Sequence, residues 1–312
     1  MEHTKALYTA LRLQALEDPS FAVDAWKVQD FRKASMDELF TALAAREVVL
    51  DKMAFAAFVD EYDSPEELAE ALAIDVSEEE LDFIYLVIFE LWRRMFPEKQ
   101  TVSLLADELD YQILLYDREE LLSVEPLDDA IASFYEALKE AVDMGADPKE
   151  AFNAMQEETA HDLHSFLYDY ISELLEQKQY VFAEELLEQF YPFVETHAFF
   201  DFLRAKLAGR DWPKRACGII GDIVTKYDAD LYLNLDILEY LVQLPFRELF
   251  SEVATRTIPL VSDEEDIEEF IRITDEFLAQ NGLSDAHLVL HGIKACSCID
   301  EKKQKLADLY RG

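Results

Sequence analysis

Asp147-Pro148-Lys149-Glu150-Ala151 with Met155, Gln179-Tyr180-Val181-Phe182-Ala183 with Leu187, and Asp211-Trp212-Pro213-Lys214-Arg215-Ala216 with Ile220 repeat one pattern. Each is a turn, then an alanine, then an aliphatic residue four places on. The three alanines stand 32 and 33 residues apart. A period of that size, with two helices per unit, is what stacked helical hairpins produce, because one hairpin cannot bury its apolar face alone. The alanine marks a close contact between paired helices, so Ala183→Asp is expected to destabilise the chain more than Ala160→Asp. Beyond Ala216 the spacing loosens, with Ala254 and Ala286 following after 38 and 32 residues.

Working outward, apolar periodicity and capping residues predict helices over about 127–143, 148–160, 163–178, 181–195, 197–208 and 213–226. More follow at about 229–242, 246–257, 263–280, 285–299 and 301–310. Gly145 and Gly209 fall where helix ends favour a residue tolerant of positive φ. Toward the N-terminus, helices are expected over 3–17, from Ser20 to about Ala34, from the capping box Ser35-Met36-Asp37-Glu38, over 48–62, and from Pro65 through Ala73. Ser77-Glu78-Glu79-Glu80 opens the most apolar helix of this half, which from Leu81 to Trp92 is apolar on nearly every side, as a helix surrounded by neighbours is. Residues 101–116 and 117–123 read as two more helices, and Ser123-Val124-Glu125-Pro126 as a boundary. The expectation is an all-α protein with an N-terminal helical domain over 1–124 and a helical-repeat domain of stacked antiparallel hairpins over 125–312.

Composition agrees. Glycine occurs 7 times and proline 9 times in 312 residues, too seldom for a fold built on tight hairpins. Hydrophobic residues make up 51% of the chain, which argues for a sizeable core despite 67 Asp+Glu against 28 Lys+Arg and a formal charge of -39. Such a surface repels phosphate backbones and anionic lipid, so neither nucleic acid nor a membrane is an expected partner. The acidity reads either as a face kept for solubility or as attraction to a basic partner; mimicry of nucleic acid requires carboxylates in two phosphate-like rows. Cys217, Cys296 and Cys298 are an odd count that makes no disulfide framework and points to a reducing compartment. Met1-Glu2-His3-Thr4-Lys5 leads into an amphipathic helix, and the longest apolar run, Phe83 to Phe89, is far below the roughly 20 residues of a membrane span. A cytoplasmic location is expected.

The repeat region resembles the tetratricopeptide superfamily, whose pattern places an alanine early in the second helix, an aromatic shortly before it and a large residue four places later. Tyr180, Ala183 and Leu187 match that pattern; Trp212, Ala216 and Ile220 match with one residue inserted; Asp147, Ala151 and Met155 match without the aromatic. The first-helix signature departs, with Leu167, Tyr170, Ile171 and Leu174 where Trp, Leu, Gly and Tyr belong, and the late proline falls early as Pro192. The resemblance covers residues 147–224. It implies a stacked-hairpin fold and a protein-binding habit, with no residue-level site.

Motifs that carry chemistry are few. Glu158-Thr159-Ala160-His161 has the spacing that puts a carboxylate and an imidazole on one helical face, but no second such motif completes a di-iron site. His287, His291, Cys296 and Cys298 have zinc-ligand chemistry, yet a continuous helix would separate His287 from Cys298 by roughly 16 Å. A possible helix-turn-helix ends in Glu78-Glu79-Glu80, which phosphates would repel. Lys294, Lys302, Lys303, Lys305 and Arg311 invert the local charge, either to compensate helix ends and acidic neighbours or to dock an acidic element.

The expected function is therefore a non-enzymatic interaction module without a cofactor: an adaptor, scaffold or chaperone-like binder of another protein or peptide. Tyr168, Tyr170 and Phe199 are the candidate partner-binding residues of an apolar groove. The alternatives are a helical metal protein or enzyme centred on Glu158 and His161, and an acidic nucleic-acid mimic. Far-ultraviolet circular dichroism should be dominated by helix, and a spectrum with a quarter strand would overturn the fold.

Overall fold

The computed structural model describes residues 4–195, 197–227, 229–294, 296 and 298–311, with backbone alone at Ser284, Asp285 and Arg311. The protein is all-α: among the described residues there are 17 α-helices and no strand. The chain divides into two compact units, Met1–Phe166 and Leu167–Gly312.

The first unit holds α1 (Lys5–Glu17), a 3-10 turn (Phe31–Lys33), α2 (Met36–Ala44), α3 (Lys52–Val59), α4 (Pro65–Leu72), α5 (Glu78–Met95), α6 (Val102–Asp117), α7 (Glu125–Asp143), α8 (Pro148–Gln156) and the start of α9 (Leu163–Glu176). Its centre is α5. The Ser77 hydroxyl accepts from the Glu80 N–H while the Glu80 carboxylate accepts from the Ser77 N–H, so two orphan donors of the helix start are satisfied reciprocally. Every residue from Asp82 to Trp92 is buried, among Leu39, Leu43, Phe55, Val59 and Leu68 of the surrounding helices. Full burial of side chains of this size contributes about 1.5–3 kcal/mol each. Trp26 and Phe31 close one side, with rings 5.8 and 5.7 Å from Phe83.

Four carboxylates are buried within this unit, and each has partners. Tyr8 donates to Asp82 at 2.6 Å; Arg93 and Arg94 hold Glu90; Lys5 and Arg32 hold Asp107, both at 2.6 Å. Burial pushes the Asp107 carboxyl up, but the two cations outweigh it and hold the group well below the ordinary range. Asp110, 1% exposed at its side chain, accepts from the backbone N–H groups of Ala160 and His161 and lies 2.7 Å from His161 Nδ1.

Three helices expected from periodicity take another form. Residues 20–34 are turns ending in the 3-10 element, because the Arg94 guanidinium takes the carbonyls of Phe31, Arg32 and Ala34 and so competes with a helical ladder. Residues 118–123 form no helix; the chain leaves α6 through Glu119 at φ 55. Helix α8 stops at Gln156, whose side-chain amide donates to the Thr159 hydroxyl and the His161 carbonyl. The sequence boundary at Ser123 to Pro126 falls inside the first unit, where α6 and α7 pack together.

The second unit continues α9 and adds α10 (Tyr180–Phe190), α11 (His197–Gly209), α12 (Pro213–Lys226), α13 (Leu231–Val242), α14 (Arg247–Thr257), α15 (Glu264–Gln280), α16 (Ser284–Lys294) and α17 (Ile299–Arg311). Helix α11 packs on α12 and α13 on α14, while α11, α13 and α15 touch in one row and α12 and α14 in another. These contacts fit hairpins placed side by side. The repeat alanines Ala183, Ala216 and Ala254 are each 0% exposed, and Leu187 and Ile220 with them. Trp212 does not share the interior: it is 67% exposed, since it precedes Pro213 at the uncapped start of α12.

Ala160 is half-buried and its N–H belongs to the Asp110 knot, so an aspartate there meets a second carboxylate and is no neutral control. Val181, 82% exposed on the same helix as Ala183, is the proper one. Ala183→Asp should cost several kcal/mol by sealing an unpaired carboxylate between helices, whereas Val181→Asp should leave Tm nearly unchanged. Equal Tm losses in a thermal melt would contradict the close contact.

Candidate functional site

Side chains of α9, α11, α13 and α15, with Tyr180 at the start of α10, line a groove of about 980 Å³ in the second unit. Helical spacing puts the lining there. On α9, Tyr168, Ser172 and Glu176 recur every four residues and face the groove, while Leu167, Tyr170, Ile171 and Leu174 turn to the core. On α13, Asp236, Glu239, Tyr240 and Gln243 do the same at three- and four-residue steps. The end of α11 supplies Lys206 and Gly209, and α15 supplies Glu276.

Asp236, half-buried, is the electrostatic centre. The Tyr168 hydroxyl donates to its Oδ2 at 2.5 Å. Burial pushes the Asp236 carboxyl above its ordinary range; the Tyr168 bond and Lys206 pull it back, and Glu239 and Asp230 push it further up, leaving a net rise. Burial and the Asp236 charge likewise push the Tyr168 hydroxyl far above its ordinary value. Close by, Arg272 is shared by Glu239 and Glu269, each at 2.7 Å, with Glu276 at 3.6 Å. Arg210 donates to Asp211 at 2.9 Å and lies 4.9 Å from the centre of the Tyr180 ring.

Gly209, the last residue of α11, makes room for a neighbouring ring. A Cβ placed there would stand 1.8 Å from the Tyr240 hydroxyl. The missing side chain lets Tyr240 lie against α11 and complete the wall. Gly145 is the positive-φ position, at φ 106.

Of the three aromatic residues expected to bind a partner, Tyr168 lies in the groove and Phe199 packs edge-on against it, with ring centroids 5.3 Å apart. Tyr170, rotated about 200° from Tyr168 around the helix, is 3% exposed in the core and offers no surface. The groove is also not apolar, because its acids are part of its wall. Asp236 was missed by a search for motifs, although its place in the Asp236, Glu239, Tyr240 and Gln243 stripe is visible as a polar face on an otherwise apolar helix.

The other candidates are accounted for by local partners. Glu158 and His161 lie past the end of α8, so they share no helical face, and His161 is bonded to Asp110. His287 Nε2 lies 2.8 Å from Asp275, and the Lys305 ammonium lies 3.2 Å from Cys296 Sγ. Among the described residues no three His, Cys, Asp or Glu side chains converge as a metal-binding set. Lys294 pairs with Asp275, Lys302 with Glu264 and Lys305 with Glu301, while Lys303 donates to the carbonyls of Pro259 and Val261; the Arg311 side chain lies outside the described residues. In the first unit, a cavity beside Lys5, Arg32 and Asp107 measures about 40 Å³, room for a few waters and no more. None of the described helices is long and apolar enough to cross a membrane.

Comparison with family models, with curated proteins and with solved structures finds no match to this chain.

A carboxyl whose folded-state pKa is raised destabilises the fold when ionised, so stability is gained as pH falls through that raised value and lost as pH rises through it. Asp236→Asn keeps an acceptor for Tyr168 and removes the charge. It should raise Tm at neutral pH, and the gain should vanish in acid, where the native carboxyl is protonated. A variant that melts lower at neutral pH would show that the charge supports the fold.

Proposed function

We propose that the protein is a non-enzymatic interaction module, an adaptor, scaffold or chaperone-like binder, whose second unit is a tetratricopeptide-like stack of helical hairpins holding a segment of a partner protein. The observation that supports this reading is the groove of the second unit, lined by side chains from α9, α11, α13 and α15, of which α11, α13 and α15 touch in succession. Stacked hairpins bury their apolar stripes against one another and leave such a face for ligands. The polar side chains around Asp236 line a recognition surface and do not form the nucleophile, base and orienting group of a catalytic site. The free thiols Cys217, Cys296 and Cys298 suit a reducing compartment such as the cytoplasm.

The experiment places a photoreactive residue at Gln243, exposed in the groove, or at Glu185, exposed on α10 away from it. Irradiation in native lysate should give a discrete crosslinked partner from position 243 and none from 185. The same adducts from both positions would remove the groove from consideration.

A further inference from the structure

We infer that the occupant of the groove is a cationic segment of a partner protein, whose lysine or arginine side chains reach Asp236 and its acidic neighbours; this rests on the groove reading above.

The first ground is the balance of charge within the groove. Asp169, Glu173, Glu176, Asp236, Glu239 and Glu276 line it, against Lys206 and Arg210. Arg210 is engaged by Asp211, and Arg272 of α15 is divided among three carboxylates. Lys206 forms no ion pair with Asp236 among the described residues; its ammonium lies 5.5 Å from the centre of the Phe202 ring. The groove is therefore short of cations on its own wall.

The second ground is the way Asp236 is held. In the first unit, Glu90 and Asp107 are each met by two cationic side chains. Asp236 is met by a phenol. Burial raises its carboxyl against the pull of Tyr168 and the more distant Lys206, so no direct cationic partner among the described residues offsets the cost of its partial burial. Natural proteins retain such local costs at binding sites, where a ligand relieves them. An ammonium or guanidinium does so directly, whereas an apolar segment would seal Asp236 and Glu239 away from water without adding a counter-charge.

The third ground is the rings. Arg210 already lies over Tyr180, which shows that this face accepts a guanidinium, and Tyr240 stands on the opposite wall. A segment of lysines or arginines finds both carboxylates and aromatic faces there. A second copy of this chain is a poor occupant, because each copy carries a formal charge of -39 and the described lysines of its last two helices are already engaged by Asp275, Glu264, Glu301 and backbone carbonyls.

The test uses the full chain and three synthetic peptides of one length, alternating alanine with lysine and arginine, with glutamine, or with glutamate. A diffuse acidic surface also attracts polycations, so two charge-matched double variants are compared: Asp236→Asn with Glu239→Gln in the groove, and Glu248→Gln with Glu252→Gln, both exposed on α14 and outside the groove lining. The basic peptide should bind the native chain, the glutamine and glutamate peptides should not, and the groove pair should weaken binding about tenfold or more. The α14 pair should change it less than about twofold, in line with a remote surface charge. Thermal melts check that both variants fold. Equal losses from the two variants would assign the attraction to the surface at large and overturn the inference. A glutamine or glutamate peptide that binds and responds to the groove pair would overturn the cationic occupant while leaving the groove reading intact. Insensitivity of every peptide to the groove pair, together with no position-dependent crosslink from Gln243, would overturn both.

Discussion

The second unit depends on small side chains in its interior. Ala183, Ala216 and Ala254 have no exposed surface, and a larger or charged side chain at any of them would force paired helices apart. The rest follows from that closeness. With paired helices held tight, α11, α13 and α15 can touch in one row and α12 and α14 in another, and the first row can present a common face. At the groove wall a Cβ on Gly209 would meet the tip of the Tyr240 side chain, so the glycine lets that ring lie where it does without shifting.

The two units treat charge differently. In the first, buried carboxylates serve as fasteners: Asp107 joins α6 to α1 and to the 3-10 turn, and Asp110 ties α6 to the turn after α8. Each is satisfied, and removing a partner would strand a charge in the interior. In the second, Asp236 has a hydroxyl as its hydrogen-bond partner, with Lys206 acting on it without a direct ion pair and acidic neighbours alongside, in an open groove. The overall acidity of the chain hides this difference, because a net charge of -39 says nothing about which acids are engaged.

Helix class was legible in the sequence because it depends on local signals. Both capping boxes form with both of their hydrogen bonds, α12 runs over the residues expected of it, and the alanine period marks buried positions. Two of the departures trace to residues distant in sequence, while the early stop of α8 and the exit from α6 are local, through the Gln156 amide and the positive φ of Glu119. Arg94 takes three carbonyls from the 31–34 segment more than 60 positions away, so a stretch with helical periodicity becomes turns. Asp110 caps the turn at Ala160 and His161 across 50 positions, so a motif that reads as a metal-binding helical face becomes part of a structural knot. The groove was half legible. Tyr168 was picked for its aromatic ring, but Asp236 joins it only through the packing of α9 near α13, which no window of sequence contains.

The three tryptophans fall unevenly across the fold. Trp92 is 0% exposed and Trp26 is half-buried against Phe83, both in the first unit, while Trp212 stands 67% exposed in the second. Indole emission shifts to longer wavelength in water, so the native spectrum combines two shielded emitters with one already hydrated. Melting of the first unit would move that spectrum strongly, whereas melting of the second would leave it almost unchanged. Intrinsic fluorescence is thus a selective optical reporter of one half of the chain, and its disagreement with a helix-sensitive probe would reveal whether the two units lose structure together.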